Sequence, residues 1–288
     1  MYADLHTHTT ASDGTFTPAE VVRAAKERGV TLLAVTDHDT VAGLAEAQRA
    51  AAEAGIAFVP GVELSAEGPP GKCHLLGLGI EPEHAGLRET LARLSEDRRT
   101  RNARMAERLQ ALGVPVTLDE VTRVAPPGAN VGRPHFAQTL VARKIVPTVA
   151  AAFERFLGDQ APAYIPKAVL PPREAIALIH AAGGRAFIAH PGLLRLAEQE
   201  THHTRFVALQ AMGLDGIEAY YSKHTPAQTE QFLRLAQRLG LLVTGGSDFH
   251  GASKPDVALA IVADGQRLPL DKLPATLLRQ GSPLPVSN

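Results

Sequence analysis

The chain has 288 residues and a net charge of −1, from 29 basic and 30 acidic side chains. That balance gives no overall basic field, so long duplex nucleic acid is not an expected partner. The single cysteine, Cys73, excludes an internal disulfide framework and a Cys-rich zinc site. No run reaches the roughly 18 apolar residues of a membrane span, and residues 1–6 lack the charged and apolar regions of a signal peptide. The expectation is a cytoplasmic protein with no membrane partner and its oligomeric state open. Histidine is the unusual entry in the composition, with 12 copies.

Residues 2–6 read as a strand. Thr17-Pro18-Ala19-Glu20 is a capping box with proline at the first helical position, and its helix should stop near Gly29. Residues 31–36 form a continuous apolar run, as in a strand buried on both faces. A helix over 41–54, a strand over 56–59 and another over 74–80 follow. Strand and helix alternating with short connections argue for an α/β parallel sheet or barrel. From about 81 to 166 the pattern turns almost wholly helical, with a long Arg-rich helix over 87–112 and a second capping box at Thr117 to Glu120. Shorter helices are expected over 134–143 and 148–157. Alternation then resumes: a helix over 172–182, strands over 185–189, 216–220 and 241–244, a third capping box at Thr225 to Gln228, and a last strand over 259–262. The organisation is a domain of residues 1–80 and 167–288, interrupted by a helical insertion over 81–166.

His6 and His8 stand two apart at the end of the first strand, so both imidazoles can reach one ion. A lone His-x-His is weak evidence, but the pattern recurs. Asp13 follows in Ser12-Asp13-Gly14, and Thr36-Asp37-His38-Asp39 follows the second strand. Glu63 lies just past the third, and His74 begins the next. His190 ends the strand after the insertion, and Asp248 and His250 end a late one. In parallel α/β architectures ligands bind beyond the carboxyl ends of strands. Nine residues therefore share the expected functional face: His6, His8, Asp13, His38, Glu63, His74, His190, Asp248 and His250. One ion takes roughly four to six ligands, so two or three ions sharing a bridging carboxylate is the natural solution. Imidazole and carboxylate without thiolate favour Mn, Fe or Zn. Adjacent divalent ions activate a shared water and clamp both ends of an in-line displacement, which points first to phosphate-ester hydrolysis.

Taken in order, His6-x-His8, Thr36-Asp37-His38-Asp39, Glu63, Ala189-His190-Pro191 and Ser247-Asp248-x-His250 resemble the motifs of the PHP-domain (polymerase and histidinol phosphatase) family. The likeness covers about residues 1–80 and 167–288. It implies a distorted seven-stranded β/α barrel of the amidohydrolase superfamily with a trinuclear metal centre, manganese first among the candidate metals. Carried onto this sequence, one ion would be held by His6, His8, Glu63 and Asp248, a second by Glu63, His74 and His190, and a third by Asp13, His38 and His250. The insertion is similar to that of the TrpH-like branch. That implies a 3′,5′-nucleoside bisphosphate phosphatase or a 5′-to-3′ exonuclease on short RNA, with the insertion as a substrate cap. Catalytic roles would fall to Glu63, bridging two ions, and to Asp248, orienting the attacking water or accepting its proton. His190 or His224 would protonate the leaving ribose oxygen.

A phosphoesterase also needs cations beyond its metals. Residues 97–104 hold four arginines, which serve either as anchors or as a solvated helix face. Arg99 and Asn102 are i, i+3 and could grip one phosphate or ribose. Arg133 and His135 open a helix, where backbone N–H groups favour anions. Ser222, Lys223 and His224 lie in a strand-to-helix loop as a further anion anchor. Tyr220, Tyr221 and Phe136 either stack on a base or fill the core. Two anchors outside the metal centre imply a substrate with a second charged group. The expected reaction is removal of the 3′-phosphate from a 3′,5′-nucleoside bisphosphate. The rivals are an oligoribonucleotide exonuclease, a histidinol-phosphate phosphatase, which would require an acidic pocket, and a non-catalytic metal- or nucleotide-binding module, which would be expected to lack some of the nine ligands. A lactonase or amidase would need a lysine at a strand end, and none stands there.

Overall fold

Capped amphipathic stretches and doubly buried apolar runs alternate through a computed structural model, which describes residues 1–68, 70–126 and 128–278. The elements in chain order begin β1 (Tyr2–Asp4), α1 (Pro18–Glu27), β2 (Val30–Val35), α2 (Leu44–Ala54), β3 (Ala57–Gly68) and β4 (Gly71–Leu78). The helical stretch holds α3 (Ala85–Ala111), α4 (Leu118–Val124), α5 (Arg133–Ala142) and α6 (Val149–Ala152), which runs into a π-helical turn at Phe153–Leu157. Then come α7 (Pro172–Ala181), β5 (Arg185–Ile188), α8 (His202–Gln210), β6 (Gly216–Tyr221), α9 (Pro226–Leu239), β7 (Leu242–Gly246), β8 (Leu268–Pro269) and α10 (Ala275–Leu278). All three capping boxes form: Thr17 with Glu20, Thr117 with Glu120 and Thr225 with Gln228.

The strands lie in the order β7-β6-β5-β4-β3-β2-β1-β8. β1, β2 and β3 are mutually parallel, as are β5, β6 and β7. β4 is antiparallel to both its neighbours. The residues after β1 close the ring against β7: Leu5 N–H donates to Gly245 O at 3.1 Å, and Asp248 N–H donates to His6 O at 2.8 Å. Seven strands thus make a nearly closed barrel, and the short β8 adds an antiparallel edge to β1.

Several details differ from the sequence reading, among them α8, which it did not include, and the start of β4 at Gly71, ahead of His74. Glu63 lies inside β3, because that strand continues to Gly68 and turns directly into β4 as a long hairpin. Glu63 and Ser65 are alternate residues of one strand face, and Ser65 pairs with His74, so the hairpin brings Glu63 and His74 to one side. Residues 259–262 are not a strand; the last strand among the described residues is the two-residue β8.

Between β4 and β5 the named elements are helical. These helices carry a core of their own around Met105, Leu109, Val121, Phe136 and Leu140. The first half of α3 instead packs Leu87, Leu91 and Leu94 into the barrel core. One helix is therefore shared between two cores, and Asn130 of the helical segment donates to the backbone oxygen of the strand-end His38 at 3.1 Å.

Barrel closure depends on close backbone approach at Gly246. A Cβ there would fall on the backbone nitrogen and Cβ of His6. Gly246→Ala is expected to destabilise the protein by about 1–3 kcal/mol or more, read as a melting temperature several degrees lower. An unchanged melting temperature would show that this seam can move apart freely.

Candidate metal centre and its cation-lined pocket

The first ligand loop is pinned before it reaches any ion. Asp37 accepts from the Thr9 N–H at 2.8 Å, the Thr9 hydroxyl at 2.7 Å and the Ser12 hydroxyl at 2.5 Å. Asp37 is thus a brace for the loop after β1. Asp4 does the same for the late loop, accepting from Ser247 N–H at 2.8 Å, Ser247 Oγ at 2.6 Å and Ala260 N–H at 2.8 Å. Asp39, His190 and Asp248 all have positive φ, of 52°, 30° and 58°. Non-glycine residues in this region cost energy and persist where the surroundings over-determine them, commonly at functional sites.

All nine sequence-predicted ligands converge. Glu63 is fully buried at their centre. Its Oε2 lies 3.3 Å from His6 Nε2, 3.1 Å from His8 Nε2 and 3.0 Å from His38 Nδ1. Its Oε1 lies 2.9 Å from His74 Nδ1 and 3.0 Å from His190 Nε2. Asp248 Oδ1 approaches His8 Nε2 at 3.3 Å and His6 Nε2 at 3.6 Å. His250 Nε2 lies 3.3 Å from Asp13 Oδ1. Three sets have donor atoms within 4.8 Å of one another: His6, His8 and Asp248; His38, Glu63 and His74; and His8, Asp13, His38 and His250. His8 and His38 therefore each belong to two sets, where the resemblance implied one.

The donor chemistry fits divalent cations. His8 Nδ1, His38 Nδ1, Glu63 Oε2 and His250 Nε2 are buried and, despite these close approaches, make no well-directed hydrogen bond, which is costly unless something else satisfies them. Burial opposes ionisation of Glu63 and Asp13, yet the facing imidazoles hold both well below the usual carboxylate range. His38 goes the other way, pushed down by burial to about 4, which leaves it neutral and able to ligate.

The candidate ligands are themselves held. Asp248 Oδ2 accepts from Tyr221 Oη at 3.0 Å and Lys254 Nζ at 2.7 Å, so only Oδ1 faces the centre. Sequence reasoning missed Lys254.

A cavity of about 370 Å³ opens beside this centre. Asp13, His38, His74 and His190 line one side of it, and Lys72, Arg98, Arg101, Arg133, Lys167 and Arg195 supply positive charge, with Phe153 and Tyr164 as aromatic surface. Arg98 and Lys167 both pair with buried Asp39, the latter at 2.9 Å. Arg133 pairs with Asp159 at 2.9 Å. Arg101 has an Nε without a hydrogen-bond partner, and its NH1 meets only the Met105 sulfur, at 3.1 Å.

Several expected anchors stand elsewhere. The Arg99 side chain is 76% exposed and pairs with Glu96, while its neighbours Arg98 and Arg101 face the pocket. Asn102 is buried and donates to Val131 O at 2.9 Å, supporting the loop before α5. Arg133 does line the pocket, but His135 is a buried cap whose Nδ1 accepts the Gly132 N–H at 3.1 Å. Lys223 points outward to Asp256 at 2.9 Å, and Ser222 Oγ is buried without a partner outside the pocket lining. His224 uses both ring nitrogens, Nδ1 on Ala219 O at 3.0 Å and Nε2 on the Gly192 N–H at 3.1 Å. It is a brace for the His190 loop, with no nitrogen free to protonate a leaving group. Phe136 is core.

A protein-family model, the PHP domain, matches residues 4–124. A 3′,5′-nucleoside bisphosphate phosphatase from Chromobacterium violaceum is 38% identical over 248 residues, spanning 86% of each chain. The chain belongs to the PHP family. Among its relatives is the 5′-3′ exoribonuclease Rnm of Escherichia coli, 36% identical over 86% of this PHP protein and 84% of that one. A structure of an amidohydrolase from Chromobacterium violaceum superposes with a TM-score of 0.86 at 34% identity, covering 97% of both chains. A candidate metal-dependent phosphoesterase from Bifidobacterium adolescentis superposes at 0.87 with 35% identity, over 98% and 97% of the two chains.

The Asp39 cluster makes a testable link between barrel and helices in this PHP protein. Burial raises the Asp39 pKa, but Lys167 and Arg98 outweigh it and hold the carboxyl far below its ordinary value. Asp39→Asn leaves the buried Arg98 and the partly buried Lys167 uncompensated and is expected to cost about 3–5 kcal/mol at neutral pH. A depressed carboxylate contributes stability above its unfolded pKa of about 3.9 and loses it as pH falls through the folded value. The stability gap between wild type and variant should therefore hold from neutral pH down to about 4 and narrow only below it. Denaturant titrations across that range check this; a gap that closes by pH 6 would contradict it.

Proposed function

We propose that this PHP protein is a metal-dependent phosphoesterase that removes the 3′-phosphate from 3′,5′-nucleoside bisphosphates, releasing a 5′-nucleotide. One observation carries the reading: a single cavity is lined by four of the nine converging donors, Asp13, His38, His74 and His190, and by six cationic side chains. A phosphate to be cleaved and a phosphate to be held are the ligand that such a cavity complements.

His6, His8, Glu63 and Asp248 would hold one ion, Glu63, His74 and His190 a second, and Asp13, His38 and His250 a third. The absence of thiolate favours Mn, Fe or Zn, manganese first. When bound, such ions supply charge stabilisation to the phosphoryl oxygens and a nucleophile at neutral pH. The chain supplies position. Glu63 offers one oxygen to each of two ligand groups. Arg101, the least compensated pocket arginine, is suited to bidentate contact with the phosphate that is not cleaved. Arg98 and Lys167 share one carboxylate and retain net positive charge toward the same group. Phe153 and Tyr164 give apolar surface for the nucleoside.

A second reading, 5′-to-3′ exonuclease action on short RNA, is supported by the Rnm relative and by another cavity of about 590 Å³ that shares Asn130 with the first. A histidinol-phosphate site is disfavoured by the excess of cations. A non-catalytic module is disfavoured by the convergence of all nine ligands.

Elemental analysis of protein purified without chelator is expected to find more than one transition-metal ion per chain, and Glu63→Gln should weaken two ions together. One ion or fewer, with activity surviving chelation, contradicts the multinuclear reading. The substrate reading is checked by comparing a 3′,5′-bisphosphate with the 3′-monophosphate on wild type and Arg101→Ala. A charge-assisted hydrogen bond is worth about 1.5–3 kcal/mol, so the variant should lose roughly ten- to a hundredfold in kcat/KM on the bisphosphate and little on the monophosphate. Equal wild-type rates on both substrates would exclude the bisphosphate assignment.

A further inference from the structure

Glu218 is a fully buried carboxylate on β6 that the proposed reaction does not use. A register irregularity between Glu218 and Tyr220 lets Glu218 and Tyr221 both reach the metal end of the barrel. Among the described residues it has no Lys or Arg partner. Its Oε1 lies 2.8 Å from His6 Nδ1, and its Oε2 accepts the His190 N–H at 2.5 Å. A carboxylate oxygen facing Nδ1 at this distance favours a ring proton on Nδ1, and Nε2 is the ring atom that faces the other donors. That Nε2 is the atom 3.3 Å from Glu63. The other oxygen holds the amide of a residue at φ 30°, in the turn that aims His190 Nε2 at Glu63 Oε1, 3.0 Å away.

We propose that Glu218 is a positioning residue that couples the first two ion sites from outside, fixing the ring orientation and tautomer of His6 and the backbone turn of His190 with one carboxylate. Glu63 joins the same two sites from inside. The proposal rests on the metal-centre reading above. Partners of metal-bound histidines that set tautomer and orientation typically change metal affinity or activity 10–100-fold when replaced.

Glu218→Gln is the decisive substitution because its shape is conserved and its hydrogen-bonding is not. With the amide oxygen on the His190 N–H, the NH2 group faces His6 Nδ1 and drives the ring proton to Nε2, the ligating atom. Reversed, the NH2 group meets the His190 N–H donor to donor. Competition between each protein and a chromophoric chelator for zinc or manganese measures affinity directly. The expected result is metal affinity lower by about 10–100-fold, a chelated protein that melts close to wild type, and a kcat restored by excess metal with KM unchanged. If wild type binds no metal, the metal-centre reading itself fails. If wild type binds metal and Glu218→Gln binds it equally well, the coupling by Glu218 is overturned while the centre stands. Should Glu218→Gln not fold, nitrogen-15 spectra of zinc-loaded wild type decide: His6 must show a protonated Nδ1, and an unprotonated or zinc-bound Nδ1 overturns the proposal.

Discussion

Five imidazole nitrogens surround one buried carboxylate, that of Glu63, at 2.9–3.3 Å. A carboxylate in such a place is expensive to desolvate, and nothing in an apolar barrel core would collect it there. The energetic case for the arrangement is the charge it can hold. The loops around it are organised accordingly: Asp37 and Asp4 brace the first and last ligand loops, Tyr221 and Lys254 fix one oxygen of Asp248, and three neighbouring residues take left-handed backbone conformations. The left-handed conformations cost stability locally. Together with the braces they make a rigid donor set on a scaffold of parallel strands.

The helical segment is tied to the same centre. Asn130 donates to His38 O at 3.1 Å, and Asn130 N–H donates to Ala11 O at 2.9 Å. Arg98 from α3 and Lys167 from the returning chain meet at Asp39, directly after the candidate ligand His38. Burial, with Arg98 nearby, pushes Lys167 down to about 8. The cations that would bind a remote phosphate are therefore mechanically continuous with a loop that carries a candidate metal ligand. This continuity gives remote binding energy a route to positioning at the reacting phosphorus.

Much of this was legible in the sequence, and for a physical reason. Strand ends on one face of an α/β barrel must hold the site, so imidazoles and carboxylates recurring there reveal it. The misses also have physical causes. Glu63 reads as a loop residue because its strand breaks the parallel alternation and doubles back as a hairpin. A run of arginines contains every helical phase, and Arg99 is one position off. The apolar series Leu87, Leu91, Leu94 continues through Arg98, Arg101 and Met105 at helical spacing, and that phase would have found the pocket face. Glu218 carried a signal too, a lone charge inside an apolar strand. The Lys167–Asp39 contact had none, since the partners are 128 residues apart and neither lies in a motif that names the other. Lys223 read as an anchor because its strand-end loop was correct; its partner Asp256 lies in a separate loop.

The central claim is that Glu63 stands between ions. Anomalous diffraction from crystals grown with manganese, recorded on both sides of its absorption edge, tests this most directly. The account predicts at least two peaks flanking the Glu63 carboxylate, about 3.5–4 Å apart, with His6 and His8 beside one and His74 and His190 beside the other. A single peak, or peaks that leave Glu63 without a metal contact, would contradict it.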